Sequence, residues 1–167
     1  MRAEVWRQRW FANFTGKLAL GSLQAVLGLF AEALPVADAA ELLAAHGLGV
    51  FGVDFGERDN PHEASLDRIA VSWTKGCYLG QEVVCMQDMR GKVKRRLVAL
   101  EGSAALLGSA ATQEVLAADG SVVGHVSSVH PSASGARVLA SITSSALESQ
   151  AELSLRGEAL RPAAKVS

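Results

Sequence analysis

The sequence has few of the residues that build disulfide-stapled or metal-stabilised domains. Its 167 residues include only two cysteines, Cys77 and Cys85, too few for a disulfide framework. On one helix these two residues would lie about 12 Å apart, which is beyond disulfide reach. The four histidines are scattered, and none pairs with a cysteine at a zinc-finger spacing. The sequence therefore predicts neither a disulfide scaffold nor a metal site.

An excess of charge of one sign is also lacking. The formal net charge is −1, so general electrostatic attraction to nucleic acid or to an anionic membrane is not expected. Hydrophobic residues make up 49% of the chain, which is enough for a packed core. The length allows one ordinary domain or two small ones.

No apolar run is long and uniform enough for a membrane span. Residues 18–30 follow a basic leader and mimic a secretory signal, but glycine, serine and glutamine interrupt them. Leu20, Leu23, Leu27 and Phe30 recur at helical spacing, which favours one buried face of an amphipathic helix. We expect a cytoplasmic protein without a membrane partner.

The most informative stretch is residues 75–82, Lys-Gly-Cys-Tyr-Leu-Gly-Gln-Glu. Gly76 and Gly80 allow a sharp backbone turn on either side of Cys77. The residues after Gly80 contain no glycine or proline before Gly91, which predicts a helix starting near Gly80. The helix N-terminus and Lys75 would both favour a thiolate at Cys77. Such a placement is typical of chemistry rather than of packing.

The hydrophobic patterning changes near residue 91, and we predict two domains, 1–91 and 92–167. Expected elements of the first are helices at 18–34 and 39–45 (the second capped by Asp38), a strand-like run at 51–55, a polar loop at 56–62, a short helix at 63–67, a strand-like run at 69–73 and the helix from Gly80. Expected strands of the second lie at 93–100, 114–117, 122–127, 136–142, 151–155 and 159–166, with Asp119-Gly120 as a hairpin turn. This order predicts an α+β fold in which a helical region precedes a small antiparallel barrel or sandwich.

These motifs resemble those of the YgfZ-type folate-binding proteins, relatives of the glycine cleavage T-protein, an aminomethyltransferase. Residues 75–82 resemble the family hallmark K-G-C-[FY]-x-G-Q-E. Residues 52–55 followed by 61–64 resemble its G-x-D and P-x-E-A motifs, and residues 89–97 resemble its R-G-x-x-x-R-x-L run. Residues 120–128 resemble its G-x-x-V-G-x-V-T-S hairpin. The resemblance spans about residues 47–165 and implies a partial aminomethyltransferase-like folate-binding region followed by a small antiparallel β-barrel.

The resemblance implies a folate-linked accessory protein of iron–sulfur cluster assembly or repair and of tRNA modification. Its cofactor would be tetrahydrofolate, and its partners would be iron–sulfur assembly proteins or client enzymes, with no role for nucleic acid as a partner. A folate-dependent aminomethyltransferase like the T-protein is the alternative, so whether the chain is an enzyme stays open. The motif cysteine favours the accessory protein, because T-protein relatives generally lack this form of the octapeptide. A second alternative is an inactive remnant that serves as an interaction module.

The resemblance also assigns candidate site residues. Those expected to act chemically are Cys77 and Lys75, and those expected to contact the cofactor are Asp54, Tyr78, Gln81, Glu82 and Arg90. Three of them also have a plainer structural interpretation. Cys77 could be a buried thiol in a tight turn, Tyr78 a core ring, and Glu82 a complement to the first turn of a helix.

A local excess of positive charge occurs at Arg90, Lys92, Lys94, Arg95 and Arg96. Alternate residues of this run would share one face of a strand. The face could be solvated, or it could form a patch for a polyglutamyl tail, RNA or a partner protein. No aromatic residues interleave with it, so a platform for single-stranded nucleic acid is not expected.

The N-terminal part departs from the family. Leu43, Ala45 and Gly47 occupy the positions of the family's R-x-E-x-G motif, so the arginine and the pterin-binding acid are absent. Residues 1–46 show no other family pattern. We therefore expect an N-terminally truncated or diverged member that binds tetrahydrofolate weakly.

Overall fold

The structure is a computed structural model that describes residues 36–67, 69–91, 93–109 and 113–163. The chain divides into two compact units, Met1–Ala39 and Ala40–Ser167, and the second contains every element discussed below from residue 40 onward. The helix predicted at 18–34 lies outside the described residues. The domain boundary predicted at residue 91 is not tested by this division and stays a prediction.

Six antiparallel strands form the main body of the second unit. They are β1 (Arg95–Gly102), β2 (Glu114–Ala117), β3 (Val122–Ser132), β4 (Gly135–Thr143), β5 (Leu153–Leu155) and β6 (Glu158–Pro162). They close into a barrel in the order β1–β4–β3–β2–β5–β6. The described helices are α1 (Val36–Ala45), α2 (Gln81–Arg90) and α3 (Ser144–Glu148), with a 3₁₀ turn at Ala104–Leu106. The predicted α+β fold with a small barrel is confirmed.

The hairpin between β2 and β3 forms where the sequence predicts it. Gly120 has a φ of 79°, a conformation that glycine adopts without strain. The backbone N–H of Ser121 donates to the Asp119 carboxylate at 2.9 Å. The Ser121 hydroxyl donates to the same oxygen at 2.6 Å, and these two hydrogen bonds hold the pKa of Asp119 below its ordinary value. Local turn chemistry therefore fixes this connection.

Strand β4 is buried on both of its faces. Alternate residues from Ala136 to Ile142 point into the barrel core with Leu100, Val115 and Leu155. Leu139 points outward and packs with Leu97 and Ala44 of α1. Because successive side chains of a strand point to opposite faces, this second cluster covers the outside of the barrel. Helix α1 thus contributes an outer layer over β1 and β4.

Arg137 fastens the C-terminal end of α1 to the barrel. Its side chain is 7% exposed, and Nη2 donates to Glu101 at 2.9 Å. Nη1 donates to the backbone carbonyl of Ala45 at 3.2 Å. Basic groups satisfy carbonyls that a helix end leaves without an internal partner, and this bond does so for α1.

Several elements predicted before Gly80 differ in the structure. Helix α1 begins at Val36 rather than at residue 39, so Asp38 lies inside the helix and not at its N-cap position. Residues 51–55 form a turn, because Gly52 adopts a φ of 86° and its N–H donates to the Phe55 carbonyl at 2.7 Å. The alternation of Phe51, Val53 and Phe55 wrongly predicted a strand there.

Neither the helix predicted at 63–67 nor the strand predicted at 69–73 forms, because the described residues of both segments are turns, bends or irregular chain. Ser65 has a φ of 58°, outside the helical region. The segment is held on β1 instead, because Leu97 N–H donates to the Glu63 carbonyl at 2.7 Å and Ser65 Oγ donates to the Leu97 carbonyl at 2.7 Å. Two apolar residues that prompted the strand prediction, Ile69 and Trp73, are half-exposed and join no sheet.

Arg96 connects the same segment to the barrel. Its two terminal nitrogens donate to the Asp67 carboxylate at 3.0 and 3.2 Å, and Nη1 also donates to the His62 carbonyl at 3.2 Å. Burial acts to raise the pKa of Asp67, but the hydrogen bonds and charge of Arg96 outweigh it and lower that pKa. The interpretation of Arg96 as part of one exposed basic face is therefore wrong, whereas Lys94 and Arg95 are exposed.

We predict that Asp67→Asn lowers the free energy of unfolding by about 2–4 kcal/mol at pH 7, because it leaves Arg96 without its ion pair. The exposed Arg95, with carboxylates only at 3.6 and 3.9 Å, is the matched control, and Arg95→Met should cost less than about 1 kcal/mol. Since the folded pKa of Asp67 is lowered, the stabilisation is present above the unfolded value of 3.8 and is lost as the pH falls below it. Urea unfolding across this pH range measures both effects. Equal losses for the two variants would contradict the assignment.

Candidate functional site

The Cys77 loop (residues 75–80) leads directly into helix α2. Gly80 stands before the helix with a φ of 87°, and Gly91 ends it with a φ of 60°, so glycine is required at both ends. No side chain caps the N-terminus of α2. Val84 is the buried residue of this helix. The predicted start of the helix near Gly80 is confirmed.

Gln81 shapes the loop around the thiol. Its Oε1 accepts a hydrogen bond from the backbone N–H of Tyr78 at 3.1 Å. Its Nε2 donates to Cys77 Sγ at 3.8 Å. Cys77 is exposed, which rules out the buried-thiol interpretation, whereas Cys85 is partly buried and both thiols are free. The loop therefore presents one sulfur to solvent beside the first turn of a helix.

Lys75 lies against Tyr78 within the same loop. The Lys75 ammonium is 4.3 Å from the centre of the Tyr78 ring, a cation–π contact. Burial, together with the nearby Cys85, raises the pKa of Tyr78 above its ordinary value, so its hydroxyl stays protonated at physiological pH. Lys75 is exposed and Tyr78 is partly buried, which leaves the ammonium accessible to an anionic ligand.

The structure thus brings four of the seven predicted site residues together: Lys75, Cys77, Tyr78 and Gln81. Glu82 is exposed in the first turn of α2, where its charge complements the helix dipole. Arg90 is exposed in the last turn, about 12 Å further along the helix at 1.5 Å per residue. Asp54 belongs to a separate group on the barrel.

Asp54 joins the turn at 51–55 to strand β3. Its Oδ2 accepts a hydrogen bond from Val50 N–H at 2.8 Å, and its Oδ1 accepts one from Ser128 Oγ at 2.5 Å. Because Ser128 gives its only proton to Asp54, it accepts from His130 Nε2, which lies at 2.9 Å. Ser128 falls within the predicted hairpin motif, yet its contact with Asp54 and the part of His130 were missed by the sequence analysis.

His62 is a further residue that the sequence analysis missed. It is 2% exposed, and neither ring nitrogen has a hydrogen-bond partner within the described part of the chain. Its Nε2 lies 3.5 Å from an Asp88 carboxylate oxygen of α2, and its ring centre lies 6.4 Å from that of Trp73. His62 therefore packs the segment before β1 against the C-terminal half of α2.

Two adjoining hollows lie on the barrel beside Asp54. The first, of about 160 Å³, is lined by Asp54, Asp59, Glu63, Arg95 and His125 among others. The second, of about 190 Å³, shares Arg95, His125 and Ser141 with the first. Each is smaller than the roughly 300–1,000 Å³ of a typical small-molecule site. Neither hollow could enclose a ligand as large as a folate.

The described residues contain no cluster of three or more histidine, cysteine or carboxylate side chains placed to hold a metal ion. Within that same part of the chain, no helix has the length and apolar character needed to cross a membrane.

Comparison with known proteins shows the fold of the chain and not its family. No family model matches the sequence, and no curated protein does. Among solved structures, the chain is similar to the glycine cleavage system aminomethyltransferase T from Bartonella henselae, with a TM-score of 0.59 and 18% identity. The match covers 88% of this chain and 44% of that structure, so the chain spans less than half of its length. The predicted aminomethyltransferase-like fold is confirmed.

Proposed function

We propose that this chain is a folate-linked accessory protein of iron–sulfur cluster assembly or repair, as the YgfZ-type resemblance implies, and that it acts through the Cys77 loop. The observation that carries the proposal is an exposed thiol held by Gln81 at the start of α2. This thiol stands within the family octapeptide, on a fold similar to that of an aminomethyltransferase. A thiolate is a ligand that iron–sulfur clusters prefer, so a client cluster is a fitting substrate.

Within this function Cys77 is the reacting or contacting group, and Lys75 supplies positive charge at the same loop. Tetrahydrofolate is the proposed cofactor, and Asp54, Tyr78, Gln81, Glu82 and Arg90 are its proposed contacts. Asp54 is already bound by Ser128 and Val50 N–H, so it would orient the turn beside the ligand rather than move a proton. The proposed partners are assembly proteins or client enzymes of the cytoplasm, and effects on tRNA modification would follow from a client that carries a cluster.

The second candidate is folate-dependent aminomethyl transfer, which the named activity of the structural neighbour favours. That reaction needs an acidic group beside the aminomethyl carrier and the folate N5. Asp54 is the acidic residue at the matching motif, but both of its oxygens are occupied by hydrogen bonds. We therefore rank this candidate second. Formation of methylenetetrahydrofolate from a lipoyl-bound aminomethyl group by the purified chain would place it first.

The accessory function predicts a specific loss on removal of one sulfur. In a bacterial strain that lacks its own YgfZ-type protein, expression of the chain should restore the activity of a [4Fe–4S] dehydratase in cell extracts. Cys77→Ser should restore none of it, because the exposed thiol is gone. Cys85→Ser is the matched control and should restore it as the wild-type chain does. Equal restoration by both variants, at equal protein levels, would remove Cys77 from the proposal.

A further inference from the structure

Helix α2 carries an exposed apolar face that no described element covers. We define the α2 face as Leu79, Val83, Met86 and Met89, which are 85%, 59%, 48% and 85% exposed. The opposite side of the helix holds the buried Val84. Amphipathic helices normally bury their apolar stripe, and contiguous exposed apolar patches of several hundred Å² mark interaction sites.

Charged residues are placed symmetrically about the centre of this face. Glu82, Met86 and Arg90 follow one another at intervals of four residues, so they form one row along the helix. The acidic residue lies one turn before Met86 and the basic residue one turn after it. Both charged side chains are exposed. A row of this pattern is complementary to itself when a second copy runs in the opposite direction.

We propose that the α2 face is the contact between two copies of this chain, with the two α2 helices antiparallel about a two-fold axis at Met86. In this arrangement Glu82 meets the partner's Arg90, Val83 meets the partner's Met89, and Met86 meets the partner's Met86. The contacts of Glu82 with Arg90 and of Val83 with Met89 each occur twice, whereas the Met86 pair lies on the axis and occurs once, as the symmetry of an isologous dimer requires. Antiparallel packing also places the positive N-terminus of each helix beside the negative C-terminus of its partner.

The exposed area agrees with a weak dimer. The five residues paired in this arrangement, which are Val83, Met86 and Met89 with the exposed Glu82 and Arg90, expose on the order of 500 Å² per copy, so the pair would bury about 1,000 Å², the lower limit for a specific interface. This inference is argued only from the exposure and charges of α2, and its contacts between Glu82 and Arg90 would compete with the tetrahydrofolate contacts proposed for the same two side chains.

Sedimentation equilibrium of the purified chain tests the proposal. The mass should rise from 17.5 kDa towards twice that value over the micromolar range. Met86→Asp should raise the dimer dissociation constant about 100-fold or more, because it places two carboxylates side by side at the centre of a small interface. Val122→Asp is the matched control, since Val122 is 48% exposed, as Met86 is, but lies on β3, and it should leave the constant unchanged.

Charge exchange tests the antiparallel register. Glu82→Arg and Arg90→Glu should each weaken the dimer about tenfold, because each places like charges opposite one another twice. An equimolar mixture of these two variants should form a heterodimer, and the double variant should dimerise as the wild type does. Circular dichroism confirms that each variant is folded. A wild-type chain that stays monomeric at high micromolar concentration overturns the proposal. A double variant that stays weak overturns the antiparallel register.

Discussion

Titration of this chain with tetrahydrofolate should show much weaker binding than titration of a YgfZ-type protein that carries the R-x-E-x-G motif, with no saturation in the low micromolar range. The physical reason is the loss of polar partners for the pterin. Leu43 and Ala45 occupy the motif positions of the arginine and the acid, and both lie in α1. Each lost hydrogen-bonding partner typically costs about 1–3 kcal/mol, which is roughly a factor of 5–150 in affinity.

The described part of the barrel supports the same expectation. The carbonyl of Ala45 is occupied by Arg137, and the hollows beside Asp54 hold about 160 and 190 Å³. Calorimetric titration under reducing, anaerobic conditions is the measurement, with a YgfZ-type protein that carries the R-x-E-x-G motif titrated in the same buffer as the control. A dissociation constant at low micromolar or below for this chain would mean that the pocket is complete without the missing motif.

The second large effect concerns the two thiols. We expect Cys77 to be alkylated by iodoacetamide about tenfold faster than Cys85 at neutral pH, because reactivity follows thiolate character and exposure. Cys77 is exposed in the loop just before α2, whereas Cys85 is partly buried in the middle of that helix. Competition labelling read by mass spectrometry compares the two in one molecule.

A matched variant separates the loop from simple exposure. Gln81→Leu removes the amide that contacts Cys77 Sγ and the acceptor for Tyr78 N–H, so it should loosen the loop and change the Cys77 rate alone. Cys85 in the same variant serves as the internal reference. Equal rates for the two cysteines in the wild-type chain, or a faster Cys85, would argue against a reactive Cys77 loop.

The sequence predicted those elements that depend on local chemistry. Asp119 and Gly120 form the hairpin because the turn needs a left-handed residue and a side-chain acceptor, and both are in the sequence. Helix α2 begins after Gly80 for a similar reason. Five of the six barrel strands were predicted to within four residues at each end, because their apolar residues alternate and face one core, whereas β3 extends five residues beyond its predicted end.

Contacts distant in sequence were not predictable from patterns of this kind. The hydrogen bond from Ser128 to Asp54 joins residues 74 positions apart, and its geometry depends on how the turn meets β3. The segment at 51–55 was predicted as a strand because its apolar residues alternate, but Gly52 and the Asp54 side chain fold it into a turn. His62 gave no sequence signal, since its position against Asp88 depends on packing between two segments.

If Cys77 carries the proposed function of this chain, its removal should abolish the effect of the chain on a cluster-dependent modification of tRNA. In the bacterial strain without its own YgfZ-type protein, the amount of methylthiolated tRNA reports a cluster-dependent client and can be read by mass spectrometry. We expect the wild-type chain and Cys85→Ser to raise this amount, while Cys77→Ser leaves it at the level of the empty vector. A Cys77→Ser chain that raises it as far as the wild type does would show that the function does not depend on this thiol.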